Sequence, residues 1–223
     1  MKILAIALLV ACAIFLVLYV TLIGRRRLAQ RTTTVVPVPP AVPDGNGPDA
    51  GGPGGNAVGP VRFGPLEAVY VSTTLHGDWL ARVGAHGLGD RSHALVSVHD
   101  NGPGYDGGVL VERDGADDLW LPVSSIRSAG LAPGMAGKYV GADGLVVLTW
   151  AVPEADGVPA ALVDTGLRTR HAEDRGGLVD AVRYLLAAQQ PQQYPEQQYP
   201  QQPYPQQSQQ QSYPQDPYQQ EAR

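Results

Sequence analysis

Cysteine occurs once in the 223 residues, as Cys12. A single thiol excludes an intramolecular disulfide and any cysteine-based zinc site. Lysine is almost missing too. It stands only at Lys2 and Lys138, so arginine carries nearly all the positive charge. With abundant Ala, Gly, Val and Asp, that bias points to a GC-rich bacterial genome. Basic charge is also short where a fold can form, because residues 61–188 hold 16 acidic and 10 basic side chains. An acidic domain without a basic patch argues against nucleic acid and against docking by charge on anionic lipid.

What is present is one long apolar run. Residues 3–23 read ILAIALLVACAIFLVLYVTLI, without a charge. As a helix this run spans about 30 Å, the thickness of a bilayer's hydrocarbon core. Arg25, Arg26 and Arg27 follow at once and Arg31 soon after, against Lys2 and the amino terminus in front. Positive charge stays on the cytoplasmic side, so the body of the protein is expected in the cytoplasm, hung from a single membrane span. A cleaved signal peptide would have a shorter apolar part and its charges on the other side. Leu9-Val10-Ala11-Cys12 resembles a lipidation motif, but the chain stays apolar after Cys12, where a lipidated protein turns polar. Cys12 reads best as a small residue of a membrane helix.

Two stretches lack the pattern of a packed core. Residues 28–60 pass from VVPVPPAVP into a glycine-rich half, first extended polyproline II and then flexible, and read as a tether. A proline-rich ligand for a partner is the other reading of that stretch. Residues 189–223 hold 16 Gln, seven Pro and five Tyr, with no aliphatic side chain larger than Ala222. Such a tail is expected to be disordered and, through its spaced tyrosines, suited to weak multivalent contacts.

Between them hydrophobic alternation predicts seven β segments: 66–72, 79–84, 93–99, 109–113, 118–123, 145–152 and 161–165. Asp114-Gly115 marks a tight hairpin, and 130–137 reads as a loop. Leu178, Val179, Val182, Leu185 and Leu186 then recur at helical spacing. Gly176-Gly177 weakens the first turn, so the firm helix is expected from about Leu178. If Leu119, Leu121 and Val123 face inward, Trp120 and Pro122 face outward and either mark a candidate protein-contact surface or lie under the C-terminal helix or a loop. Trp150, in phase with Val146, Leu148 and Val152, belongs to the core.

No catalytic constellation emerges. Gly102-Pro103-Gly104-Tyr105-Asp106-Gly107 matches GxGxxG by letter but runs into a strand, whereas a dinucleotide site needs a helix there. His93 and His99 share a face but lie about 20 Å apart on one strand, too far for a common metal. Ser124-Ser125 lacks the sharp turn of a hydrolase nucleophile. No cofactor, no metal and no enzymatic activity are expected.

ERDGADDLWLPVSSI (112–126), GLVVLTW (144–150) and LVDTGLRT (162–169) carry a resemblance. With seven strands, a closing helix and the N-terminal span, the chain resembles actinobacterial single-span membrane proteins with a pleckstrin-homology-like (PH-like) domain. That family is often encoded beside pyrimidine-biosynthesis genes and sometimes labelled as transporters. The resemblance implies a barrel closed by its C-terminal helix. Lipid-binding PH domains grip phosphoinositides with basic residues in the first hairpin. Here that loop, 72–78, has no Lys or Arg and Arg82 stands alone after it, which argues against phosphoinositide binding.

The expected organisation is therefore a transmembrane anchor with its basic flank (1–27), a Pro/Gly-rich linker (28–60), a mainly-β PH-like domain (61–188) and a disordered tail (189–223). The expected function is a membrane-tethered adaptor or accessory module that binds a protein partner. The alternative is an accessory component of a small-molecule transport or export system.

Overall fold

The computed structural model describes residues 2–43 and 57–189. The glycine-rich half of the linker, the tail beyond Gln189, and the side chains of Arg25, Arg26 and Arg27 lie outside the described residues. Helix α1 (Lys2–Thr32) carries the apolar run and continues through the arginines, about 46 Å in all. Its large apolar side chains described from Ile6 to Val20 are all exposed. Among the described residues no helix is long and apolar enough to cross a membrane. The uncharged run itself extends at both ends into positions whose side chains are not described.

Seven strands build the main sheet: β1 (Val61–Leu75), β2 (Ser92–His99), β3 (Gly108–Arg113), β4 (Leu119–Pro122), β5 (Ile126–Ala132), β6 (Leu145–Val152) and β7 (Ala161–Thr169). They form one antiparallel sheet in the order β4-β3-β2-β1-β7-β6-β5. Strand β1 is the hinge of this sheet. Its first part pairs with β2 and its second with β7, so the sheet bends around it. Register shifts near Phe63 and Leu66 sharpen the bend. The edges β4 and β5 do not pair. Helix α2 (Asp174–Gln189) closes that corner, burying Leu178, Val179, Val182 and Leu185, and Arg183 Nε donates to the Ala129 carbonyl of β5.

The number of strands agrees with expectation, but two of the assignments do not. Segment 79–84 is not a strand of the sheet: it opens as a turn, and only Arg82 bridges back to Thr74. Asp78 Oδ1 accepts the backbone N–H groups of Leu80 and Ala81, which fixes a turn where an extended chain was expected. Conversely, part of the expected loop 130–137 lies in β5. Ala129, Gly130 and Ala132 have weak strand preference, and pairing with Val147 and its neighbours on β6 overrides it. Helix α2 also starts earlier than expected, at Asp174. Gly177 explains this, because a Cβ there would stand 2.8 Å from the Phe63 ring. The glycine lets helix and strand approach, and that packing offsets its poor helix propensity.

The barrel interior is filled. Tyr70, Leu148 and Trp150 are fully buried, and Trp150 is core as its phase required. Trp120 corrects the expected contact surface. It is only 2 % exposed, with its indole edge-on to His99 at 6.1 Å. Beside it, residues 57–60 fold back over His99: Ala57–Val58 pair with Tyr105–Asp106, and the Gly59 carbonyl accepts from His99 Nδ1 at 2.7 Å. Gly108 makes room for the ring, since any Cβ there would meet the indole at 2.9 Å. Pro122 is half-buried beside it.

Candidate functional site at the helix–barrel junction

The residues that organise this molecule's surface lie where α1 meets the barrel. The β1–β2 connection runs from His76 to Arg91 and includes a short 3-10 turn, Ala85–Gly87. That turn has no side-chain cap of its own. Thr32, at the end of α1, supplies one: its Oγ1 accepts the N–H groups of Gly84 at 3.1 Å and Ala85 at 2.8 Å. The Thr32 carbonyl meanwhile accepts from Val35 and Val36, turning the chain back against the barrel. Val36 is then fully buried in the same cluster as Val83, Ala85 and Leu88. His86 closes the clasp by donating from Nε2 to the Val36 carbonyl at 3.1 Å. It does so from a left-handed backbone, φ 52°, which is costly for a residue with a Cβ. The expected linker thus begins with residues held against the domain. The proline spacing gave no hint of this, although Val35-Val36 before the first proline was the available signal.

Beneath the clasp runs a directed chain of buried hydrogen bonds. Tyr70 gives its phenolic proton to the Leu88 carbonyl at 2.7 Å, because a carbonyl can only accept. The other donors must therefore point one way. Trp150 Nε1 donates to Thr165, Thr165 to Thr73, and Thr73 to Tyr70. Burial pushes the Tyr70 phenol up to about 12. The Arg113 guanidinium lies over its ring at 4.8 Å and donates to the Gly87 carbonyl, tying the β3–β4 hairpin to the same loop. Arg82 turns inward as well, donating to Ser72 Oγ and the Gly89 carbonyl. The first hairpin loop therefore differs from expectation: β1 continues to Leu75, and the real connection contains Arg82 and Arg91.

A second feature lies on the outer face of the sheet. An open cleft of about 320 Å³ crosses β7, β1 and β2, lined by Glu67, Val69, His93, Arg168 and Arg170. Leu95 and Asp114 extend it. Glu67 pairs with Arg170 across its floor, which holds the Glu67 carboxyl below the usual carboxylate range. His93 and His99 do share a face, with His93 on this cleft and His99 covered beneath residues 57–60. Among the described residues no group of three His, Cys, Asp or Glu side chains is placed to hold a metal ion. The GxGxxG-like stretch is the loop before β3. Asn101 Oδ1 accepts the Gly107 N–H there, so the loop's hydrogen bonding is directed inward.

The strand order, with one long strand shared by both halves of the sheet and a C-terminal helix over the open corner, is the expected PH-like architecture. The profile of the bacterial PH domain-like family matches residues 52–183, more than half of the chain. The chain belongs to that family. Comparison with curated proteins and comparison with solved structures returned no match. In this member of the bacterial PH domain-like family, the β1–β2 connection is the seat of the preceding helix.

Proposed function

We propose that the chain is a single-pass membrane protein whose cytoplasmic PH-like domain binds a protein partner and performs no chemistry of its own. The observation that carries the reading is the clasp. A helix exposing apolar side chains from Ile6 to Val20 would aggregate in water, and Thr32 and Val36 join its end directly to the barrel. Arg25, Arg26, Arg27 and Arg31 between them favour the cytoplasmic side. With the interior filled by Trp150 and Tyr70, binding falls to the outside of the barrel, and the cleft of Glu67, His93 and Arg168 is a recess there. A cleft with arginines on β7 and acidic groups toward Asp114 suits a partner of opposite polarity at each end. The actinobacterial origin and the role as adaptor for a neighbouring enzyme belong to the same proposal.

The test is affinity purification of the tagged full chain from native membranes, alongside Arg168→Glu and a variant ending at Ala188. A stoichiometric partner lost on Arg168→Glu supports the cleft. A partner kept by Arg168→Glu but lost with the tail assigns binding to the tail instead. A stoichiometric multispan partner points to a transport accessory.

A further inference from the structure

The chain has three tryptophans. Two are buried, and the third, Trp79, is 52 % exposed beside Leu80 at 61 %. Both sit on the turn that Asp78 fixes, in the same connection that α1 clasps five residues later. The tip is built rather than loose. The Trp79 carbonyl accepts from the Ala136 N–H at 2.8 Å, and the Leu80 side chain lies against Gly137. Ala136 and Gly137 turn a short hairpin in which Gly134–Met135 pair with Lys138–Tyr139, and it adds Tyr139, 74 % exposed, next to the exposed Lys138. Two aromatic rings, a leucine and the only lysine of the domain thus stand exposed on adjoining segments.

We propose that this tip lies in the interface of the bilayer that α1 enters, so that the barrel rests on the membrane through Trp79, Leu80 and Tyr139. The inference rests on the membrane-anchor reading above. Thr32 stands nine residues beyond Ile23, the end of the apolar run. On a continuous helix that is about 14 Å. The headgroup layer takes up about 5–7 Å of that distance on each side of the hydrocarbon. The turn clasped by Thr32 is therefore held about 7–9 Å beyond the headgroup layer, and Trp79 and Leu80 stand on the exposed tip of the same connection. Trp and Tyr prefer that layer because their rings are apolar and their N–H or O–H is polar, and Lys138 suits it for its charge. This contact is with the interface as such and asks for no specific headgroup.

The experiment uses the full chain in phosphatidylcholine vesicles, with and without bromine on the upper acyl chain, and reads tryptophan emission after flotation. Because Trp120 and Trp150 are enclosed, about one third of the emission is open to quenching. The expected result is that bromolipid quenches this share, and that Trp79→Phe floats equally well but loses the quenchable component. A chain that floats without being quenched overturns the contact and leaves the anchor standing. If the unquenched Trp79 is also shielded from aqueous acrylamide in native membranes, the tip faces a protein and the proposal fails. A chain that does not float overturns both readings.

Discussion

Replacing Val36 by aspartate should unfasten α1 from the barrel while the barrel stays folded. Burying Val36 contributes about 1.5–3 kcal/mol. The two bonds to Thr32 Oγ1 and the one from His86 contribute about 0.5–1.5 kcal/mol each. Against them stands the ordering of the chain from Thr33 to Val36, at about 1–2 kcal/mol per residue. The opposing terms agree within a few kcal/mol, so the clasp is held by a narrow margin. A buried carboxylate without a partner costs several kcal/mol, more than that margin. Thr32→Val keeps the shape and removes only the acceptor, a loss of about 1–2 kcal/mol. The assay is amide hydrogen exchange at Gly84 and Ala85 in the full chain held in a lipid nanodisc. Exchange there should quicken about tenfold or more in Thr32→Val, since about 1.4 kcal/mol is a factor of ten in the opening equilibrium. In Val36→Asp it should approach the rate of open amides, while the amides of β1 and β6 keep their protection. Unchanged protection at Gly84 and Ala85 in Val36→Asp would refute the reasoning. So would loss of protection throughout the barrel, which would make the segment an integral part of the fold.

Three further outcomes are expected. The raised Tyr70 phenol holds its proton in the folded state after the unfolded chain has released it, so stability is intact below pH 10 and falls between about pH 10 and 12. A two-unit shift is worth about 3 kcal/mol, and denaturant titrations of Tyr70→Phe should lack that alkaline decline. Gly108→Ala should lower the melting temperature by several degrees, because its Cβ would meet both the Leu121 carbonyl and the Trp120 ring; an unchanged melting temperature would show that the strand yields easily. Arg170→Met should return the Glu67 titration, followed by carboxyl NMR, toward the ordinary carboxylate range, since the hydrogen bond from Arg170 is the first cause of its depression.

Alternation along β2, β6 and β7 and the helical stripe from Leu178 are local, and they led directly to a seven-stranded barrel closed by a helix. Alternation over 79–84 predicts a strand, but it cannot register Asp78 capping the turn. Strand β5 was missed because its residues have weak intrinsic preference and are ordered only by β6. Trp120 alternates correctly with Leu119 and Leu121. Its burial depends on the neighbouring strands, where Gly108 leaves room for the ring and His99 stands edge-on to it.

The candidate site divides in the same way. By itself the sequence determined the apolar helix, its arginine flank, the acidic domain and the scarcity of thiol and lysine, because each depends only on which residues stand next to one another. The tertiary structure alone decided that Thr32 caps a turn fifty residues away, that Val36 leaves the linker for the core, and that Trp79 and not Trp120 is the exposed ring. Those outcomes rest on which donors lack acceptors and which surfaces lack cover once the chain is folded, and no local pattern encodes either.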